Sequence, residues 1–125
     1  MFSHIMVGAN NVEESKRFYD AVLGALGVEP GVVDPKGRCF YRTPTGVFAI
    51  TPPIDGKPAT HGNGSTIGFA VKDPAEADAW HAAGIASGGT TCEDPPGVRE
   101  GAARLYLAYL RDPSGNKICA LHRMS

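Results

Sequence analysis

The sequence lacks the long apolar runs and the cysteine pairs that mark several classes of protein. No apolar stretch approaches the ~20 residues that a membrane-spanning helix needs. The three cysteines, Cys39, Cys92 and Cys119, are widely spaced and form no CxxC pair, which argues against a disulfide framework and a zinc ribbon. The first ten residues also lack the basic segment and apolar run of a secretion signal. We therefore expect reduced thiols and a soluble, cytoplasmic protein with no membrane partner.

An excess of positive charge is also lacking. Lys and Arg number 12 against 13 Asp and Glu, so the net charge is −1. The basic residues are scattered along the chain and form no cluster that could hold phosphates. Nucleic-acid-binding domains normally carry a basic excess on one face. We therefore expect no nucleic-acid partner.

Glycine and proline, in contrast, are abundant. The 125 residues include 16 Gly and 10 Pro, which predict frequent turns and short elements. This composition favours a sheet-rich fold over a helical bundle. The length suits one compact domain with a substantial core and is too short for two ordinary domains.

A strand followed by a helix occurs twice in the chain. Residues 2–8 (FSHIMVG) and 65–71 (STIGFAV) are both short and apolar, and Ile5 and Ile67 occupy matching places 62 residues apart. After each strand, apolar residues recur at helical spacing, which predicts a helix with one buried face.

Matching capping signals open the two predicted helices. Asn11 precedes the first helix with Glu14 three residues later, and Asp73 precedes the second with Glu76 at the same distance. Asn and Asp are favoured N-caps, and a Glu three positions on is typical of the capping box. Pro74 suits the first position of the second helix.

Further strands are predicted after each helix, and the turn before the last strand also repeats. The matching residues lie 69 apart and are Arg42, Pro44 and Gly46 in the first turn and Arg111, Pro113 and Gly115 in the second. The growth of the offset from 62 to 69 places extra residues in the second half, most simply in the loop at 94–102. That loop is either a lid over a cavity or a mobile surface insert.

These repeats predict one βαβββ unit written twice within a single domain of residues 1–125. The first module would span residues 1–53 and the second residues 65–125. The Pro- and Gly-containing segment 54–64 would link them.

The repeated unit resembles the vicinal oxygen chelate superfamily, which includes glyoxalase I, bleomycin-resistance proteins and extradiol dioxygenases. The resemblance covers nearly the whole chain. The residues that carry it are His4, the helix segment 12–19 with Leu23 and Gly24, the Gly62–Gly64 segment, and RDPSGNK at 111–117. It implies an α+β, glyoxalase-like fold of two βαβββ modules, each a curled four-stranded mixed sheet with one helix. Members often form homodimers, and their modules enclose a cavity.

The resemblance also implies four positions for metal ligands inside that cavity. They fall on His4, Ala49, Thr66 and Cys119, whereas metal-binding relatives tend to have Glu, His and Glu at the last three. Ala has no donor atom, neutral Thr is a poor ligand, and a lone Cys with one His is half of a site. We therefore expect these four residues to line a cavity without a family-type metal site or other cofactor.

Single residues keep more than one interpretation. His4 is either a cavity residue or an ordinary hydrogen-bonded strand histidine, and Cys119 is expected to be an inert filler because no neighbouring base is evident. The other candidate ligand contacts lie on predicted strands, where they could hold an anionic or aromatic ligand or be ordinary sheet residues. They are Tyr41, Arg42, Tyr106 and Tyr109.

The favoured hypothesis is a metal-free, small-molecule-binding homodimer similar to the bleomycin-resistance branch. The alternative is a metal-dependent lyase or isomerase similar to glyoxalase I. An extradiol dioxygenase ranks last, because that chemistry requires two His and one carboxylate. The sequence leaves open whether any reaction is catalysed.

Overall fold

The chain folds into two mixed β-sheets and two helices. The computed structural model describes all of residues 1–125. The elements in chain order are β1 (His4–Gly8), α1 (Val12–Gly24), β2 (Val32–Val33), β3 (Cys39–Thr43), β4 (Gly46–Thr51), β5 (Ile67–Ala70), α2 (Pro74–Ala86), β6 (Thr90–Thr91), β7 (Gly97–Arg99), β8 (Leu105–Arg111) and β9 (Lys117–Arg123). The α+β fold of two βαβββ modules is confirmed.

Each sheet has the same strand order within its module. The first sheet runs β1-β4-β3-β2 and the second runs β5-β9-β8-β6. The pairs β1–β4 and β5–β9 are parallel, and the other pairs are antiparallel. Strands β1 and β5 are therefore both edge strands. Neither helix has the length and apolar composition needed to cross a membrane.

The prediction of four strands in the second sheet is wrong, because a fifth strand lies in the predicted loop at 94–102. Strand β7 pairs with β8 at Leu105–Leu107, while β6 pairs with the same edge of β8 at Leu110–Arg111. β8 is long, and β6 alone would leave the backbone groups at its beginning unpaired. β7 covers that remainder, so this part of the loop is neither a lid nor a mobile insert.

The predicted helix starts are confirmed. The Asn11 side chain accepts a hydrogen bond from the Glu14 N–H at 3.0 Å, and the Asp73 side chain accepts one from the Glu76 N–H at 2.8 Å. Pro74 occupies the start of α2. Each cap satisfies a backbone donor that has no partner within its helix.

Both helices pack on the same side of the sheets and share one core. Alternate strand residues face that core, among them Phe48 and Ile50 of β4 and Ile118 of β9. At Gly84 of α2 an added Cβ would overlap Leu110, so the glycine allows α2 to approach β8 closely. We call the core-facing side of the sheets the helix side and the opposite side the open side.

The strand register refines the predicted repeat. Ile5 pairs with Phe48 in the first sheet, and its counterpart Ile67 pairs with Ile118 in the second. The first strands are 62 residues apart, but the last strands are 70 apart, one more than the turns between Arg42 and Gly46 and their copy. The second turn therefore contains one additional residue, Asn116, before its strand begins.

The predicted linker contains no helix or strand. Residues 52–66 separate β4 from β5, and the segment 54–64 lies within them. The Ala59 N–H donates to Asn10 Oδ1 at 2.7 Å, which attaches this connection to the loop after β1.

Candidate ligand cavity between the modules

A cavity of about 500 Å³ lies along the seam where the edge strands β1 and β5 approach each other. The segment Met1–Ile5 and strand β5 form two of its walls. Leu23, at the end of α1, and Leu26 and Val28, in the turn and loop that follow, form a third. Because the two edge strands are not hydrogen-bonded to each other, space for a ligand remains between the sheets.

The inner end of the cavity is aromatic and apolar. Phe48 and Phe69 meet edge-to-face with ring centroids 5.4 Å apart, and both line the cavity. Tyr41 also lines the cavity, but its hydroxyl is already engaged because it donates to Asp20 Oδ1 at 2.8 Å. Burial, followed by the hydrogen bond to Asp20, raises the pKa of Tyr41 far above its ordinary value, so the phenol stays neutral.

The outer end contains the few polar side chains. Ser3 Oγ and His4 Nδ1 lie 2.8 Å apart, and Thr43 donates to the Gly46 carbonyl oxygen at 2.9 Å. Thr43 and Thr45 also share a hydrogen bond at 3.2 Å. No Asp, Glu, Lys or Arg lines the cavity. His4 contributes the one imidazole of the lining, which can donate or accept a hydrogen bond.

The four family ligand positions do not meet in this cavity. His4 lines it, whereas Ala49, on the same face of the first sheet, does not; Ala49 is fully buried and flanked by its cross-strand partners Met6 and Phe40. Thr66 precedes β5 and is exposed.

The fourth position, Cys119, is buried on the open side of β9, between Gly68 and Tyr109. No group of three or more His, Cys, Asp or Glu in the chain could hold a metal ion. The donor set at the family positions therefore does not fit the family metal.

Cys119 has the surroundings of an unreactive thiol. It is 5% exposed, and burial raises the pKa of the thiol, with the negative charge of Glu93 acting in the same direction. Nucleophilic cysteines require the opposite shift, which positive charge or a helix N-terminus supplies. The interpretation of Cys119 as a small apolar filler fits these surroundings.

The four candidate contact residues are divided between the two sides of the sheets. Tyr41 alone lines the cavity, and the Tyr106 hydroxyl donates to Asp78 Oδ1 at 2.7 Å. The Arg42 guanidinium lies 4.6 Å from the centre of the Phe40 ring. Tyr109 is adjacent to Cys119 on the open side. A single clamp made from all four is absent, and contacts of a ligand with the three outside the cavity stay predictions.

A hydrogen-bond network with a buried centre at Tyr19, Asp112 and Asn116 joins the two modules, and the sequence reasoning missed it. The Tyr19 hydroxyl donates to Asp112 Oδ2 at 2.6 Å. Asn116 Nδ2 donates both to Asp112 Oδ2 and to the Gly8 carbonyl oxygen, each at 2.9 Å. The Asn10 N–H donates to Ser114 Oγ at 3.0 Å. We call these three links between modules the clasp.

Burial and the Asp112 carboxylate raise the pKa of Tyr19 well above its usual value, so the phenol remains a donor. The clasp fixes the end of β1 relative to the second module. Its sequence signal was present, because Tyr19 belongs to one of the recognised motifs and Asp112 and Asn116 belong to another. The apolar lining residues, such as Leu26 and Val28, carried no distinguishing signal.

The chain belongs to the Glyoxalase/Bleomycin resistance protein/Dioxygenase superfamily. The family model matches residues 1–120. A glyoxalase/bleomycin resistance protein from Albidiferax ferrireducens T118 has a crystal structure with 68% sequence identity and a TM-score of 0.95. The comparison covers 98% of this chain and 99% of that chain. The resemblance inferred from the sequence is thereby confirmed.

More distant structures share the fold. Lactoylglutathione lyase from Agrobacterium tumefaciens is 19% identical, with a TM-score of 0.67 over 97% of this chain and 92% of that chain. A glyoxalase/bleomycin resistance protein/dioxygenase family enzyme from Burkholderia phytofirmans PsJN is 17% identical, with a TM-score of 0.72 over 95% of each chain. At these identities the likeness concerns architecture alone. No protein of curated function matches the chain.

Proposed function

We propose that this protein binds a small molecule between its two modules and has lost the metal centre of its family. The observation that carries the proposal is the cavity of about 500 Å³, lined mainly by apolar side chains with a few polar groups at one end. Ligand sites in proteins have volumes of roughly 300–1,000 Å³ and this kind of lining.

The loss of the metal centre is supported by the residues at the family positions. Ala49 offers no donor, and the Cys119 thiol is buried and protonated. A catalytic divalent ion generally needs three protein ligands. The alternative, a lyase or isomerase of the glyoxalase I type, requires a metal that this set does not support.

Metal analysis tests the loss directly. We expect purified protein to contain Ni, Zn and Fe at far below one equivalent, by mass spectrometry after dialysis. His4→Ala should leave that low content unchanged. Near-stoichiometric metal that disappears in His4→Ala, together with chelator-sensitive turnover of the methylglyoxal–glutathione adduct, would establish the enzymatic alternative.

Ligand binding is tested by thermal denaturation with aromatic and anionic small molecules. A molecule present at a hundred times its dissociation constant should stabilise the folded state by ~2.7 kcal/mol. Failure of every compound to raise the melting temperature would argue against binding.

We also propose that the protein is a cytoplasmic homodimer. Exposed apolar side chains on the first sheet, including Met6, Val32 and Val33, support a second copy as the partner. Sedimentation equilibrium at micromolar concentration measures the assembly, and a monomer at all concentrations would contradict it.

A further inference from the structure

We infer that the ligand of the cavity is a short extended molecule with amide groups, such as a peptide of about three residues, which pairs with the free edge of β5 as an added strand. The inference rests on the proposed function and adds the chemical class of the ligand and the groups that hold it.

Consecutive residues of the edge strands line the cavity, on both faces of the sheets. All four residues of β5, Ile67–Ala70, contribute to the walls, and so does the continuous segment Met1–Ile5 that leads into β1. Side chains of neighbouring strand residues point to opposite faces. A cavity that touches both faces of one strand therefore lies beside the edge of that strand, where the backbone N–H and C=O groups are.

The hydrogen bonds of β5 show which of its backbone groups point to the cavity. The Val71 N–H donates to the Leu121 carbonyl oxygen of β9 at 3.0 Å. Successive residues of a strand direct their backbone groups to opposite edges, so every second residue before Val71 bonds to β9 in the same way. The N–H and C=O groups of Gly68 and Ala70 therefore point away from β9, to the edge where no other strand pairs with β5.

The same reasoning applies to β1, and the clasp provides an independent check. The Ala9 N–H donates to the Thr51 carbonyl oxygen of β4 at 2.9 Å. His4 and Gly8 hold the alternate positions, so their backbone groups point away from β4. The Gly8 carbonyl oxygen accordingly accepts from Asn116 of the second module. This contact closes the gap between the modules at one end, which limits the length of chain that fits.

The edge of β5 has none of the features that normally prevent the addition of a strand. Ile67–Ala70 contains no charged residue and no proline, its register with β9 has no bulge, and Gly68 and Ala70 are exposed. Exposed edges of this kind pair readily with another extended chain. Four strand residues span about 13 Å, which suits a ligand of about three residues.

The walls around this edge determine the side chains of the ligand. Phe48, Phe69, Leu26 and Val28 are among the lining residues, and all four are apolar. A ligand with apolar side chains gains free energy from burial against them. Its amide groups cost free energy when they are buried without partners, and the free edge of β5 supplies those partners.

Three uncharged probes test the class, by isothermal titration calorimetry and thermal shift. They are acetyl-valyl-phenylalanyl-valyl amide, the same peptide with every peptide nitrogen methylated, and 2-naphthol, which has no amide group. Methylation keeps the side chains and removes the backbone donors. We therefore expect the unmethylated peptide to bind at least tenfold more tightly than the methylated one.

Amide hydrogen exchange, measured by NMR, locates the pairing. With the unmethylated peptide bound, the N–H groups of Gly68 and Ala70 should exchange at least tenfold more slowly, because they acquire a hydrogen-bond partner. The N–H groups of Ile67 and Phe69 already bond to β9, so their exchange should change much less.

Two matched proline variants test the edge itself. Gly68→Pro removes a free donor without removing a bond to β9 and should weaken the unmethylated peptide at least tenfold. Val33→Pro removes a free donor at the outer edge of β2, since the neighbouring Asp34 N–H bonds to the Arg38 carbonyl oxygen, and should change the affinity less than twofold. Circular dichroism verifies folding, and Ala70→Pro replaces Gly68→Pro if that variant does not fold.

The possible failures are distinguishable. Equal affinity of the two peptides, binding without slower exchange at Gly68 and Ala70, or full affinity in Gly68→Pro would overturn this inference and leave small-molecule binding in place. Binding of 2-naphthol alone would have the same meaning. Absence of binding by all three probes at millimolar concentration would overturn both proposals.

Discussion

The two turns that lead into β4 and β9 share one sequence pattern, yet they are held by different hydrogen bonds. In the first, the Thr43 hydroxyl donates to the Gly46 carbonyl oxygen, and the bonds remain within the turn. In the second, the Asp112 carboxylate accepts from the N–H groups of Ser114 and Asn116 and also from Tyr19 of the other module. The first turn is thus stabilised within its own module, whereas the second turn takes part in the clasp between the modules.

The helices differ in a corresponding way. Tyr19 of α1 is fully buried and reaches across to Asp112. Its counterpart 62 residues later, His81 of α2, is partly exposed and lies 3.0 Å from Thr91 in its own module. The two modules share a fold, but the polar residues that join them are not repeated: Tyr19 lies on α1 and Asp112 in the turn before β9.

Removal of the Asp112 carboxylate, the acceptor at the centre of the clasp, should reduce the free energy of unfolding the most. Asp112→Ala leaves four donors without their partner, three of them from buried residues or their backbone, so we expect a loss of about 3 kcal/mol or more in the free energy of unfolding. Thr43→Ala, the matched change in the first turn, should cost about 1 kcal/mol or less. Urea denaturation measures both, and equal losses would contradict the contrast between the turns.

Removal of a single donor should have an intermediate effect. Tyr19→Phe keeps the ring and deletes the hydroxyl that bonds to the carboxylate, which should cost about 2 kcal/mol. Tyr106→Phe deletes a similar but more exposed bond to Asp78 and should cost less than about 1 kcal/mol. Equal losses in the two variants would show that burial does not strengthen the bond between Tyr19 and Asp112.

Tyr19→Phe should also change how the stability of the protein depends on pH in the alkaline range. The pKa of Tyr19 is raised above its ordinary value of 10.0, so above pH 10 the unfolded chain releases a proton that the folded chain retains. Stability therefore falls as the pH rises. Tyr19→Phe should reduce the steepness of that fall by up to about 1.4 kcal/mol per pH unit. Unfolding free energies between pH 9 and pH 11 measure the difference.

The features that both modules retained should respond alike and with the smallest effects. Asn11→Ala and Asp73→Ala each remove one N-cap and should each cost about 1 kcal/mol. A difference between them above about 1 kcal/mol would show that the helix starts have diverged as the turns have. Thermal or urea denaturation is sufficient.

Most of the fold was predictable because its signals are local. The caps at Asn11 and Asp73, the helical spacing and the repeated turn each act within a few residues. The short strand β7 was missed because its pairing depends on how much of β8 the distant β6 covers. Such a pairing is not visible in the residues of the loop itself.

The site was predictable in part. Side-chain alternation along β3 would have assigned Tyr41 to the core, because its neighbours Phe40 and Arg42 occupy or face the open side. The cavity itself follows from the separation of two edge strands that are far apart in the sequence. No pattern at Val28 or Phe69 distinguishes a cavity wall from an ordinary core residue.

The clasp and the cavity occupy opposite ends of β1. The clasp engages Gly8 and Asn10, whereas the cavity begins at Met1–Ile5, and the four residue steps of extended strand from His4 to Gly8 span about 13 Å. The contacts that hold the modules together are therefore separate from the residues that line the cavity. Substitutions in the cavity walls can therefore change the size of molecule that fits without disturbing the clasp.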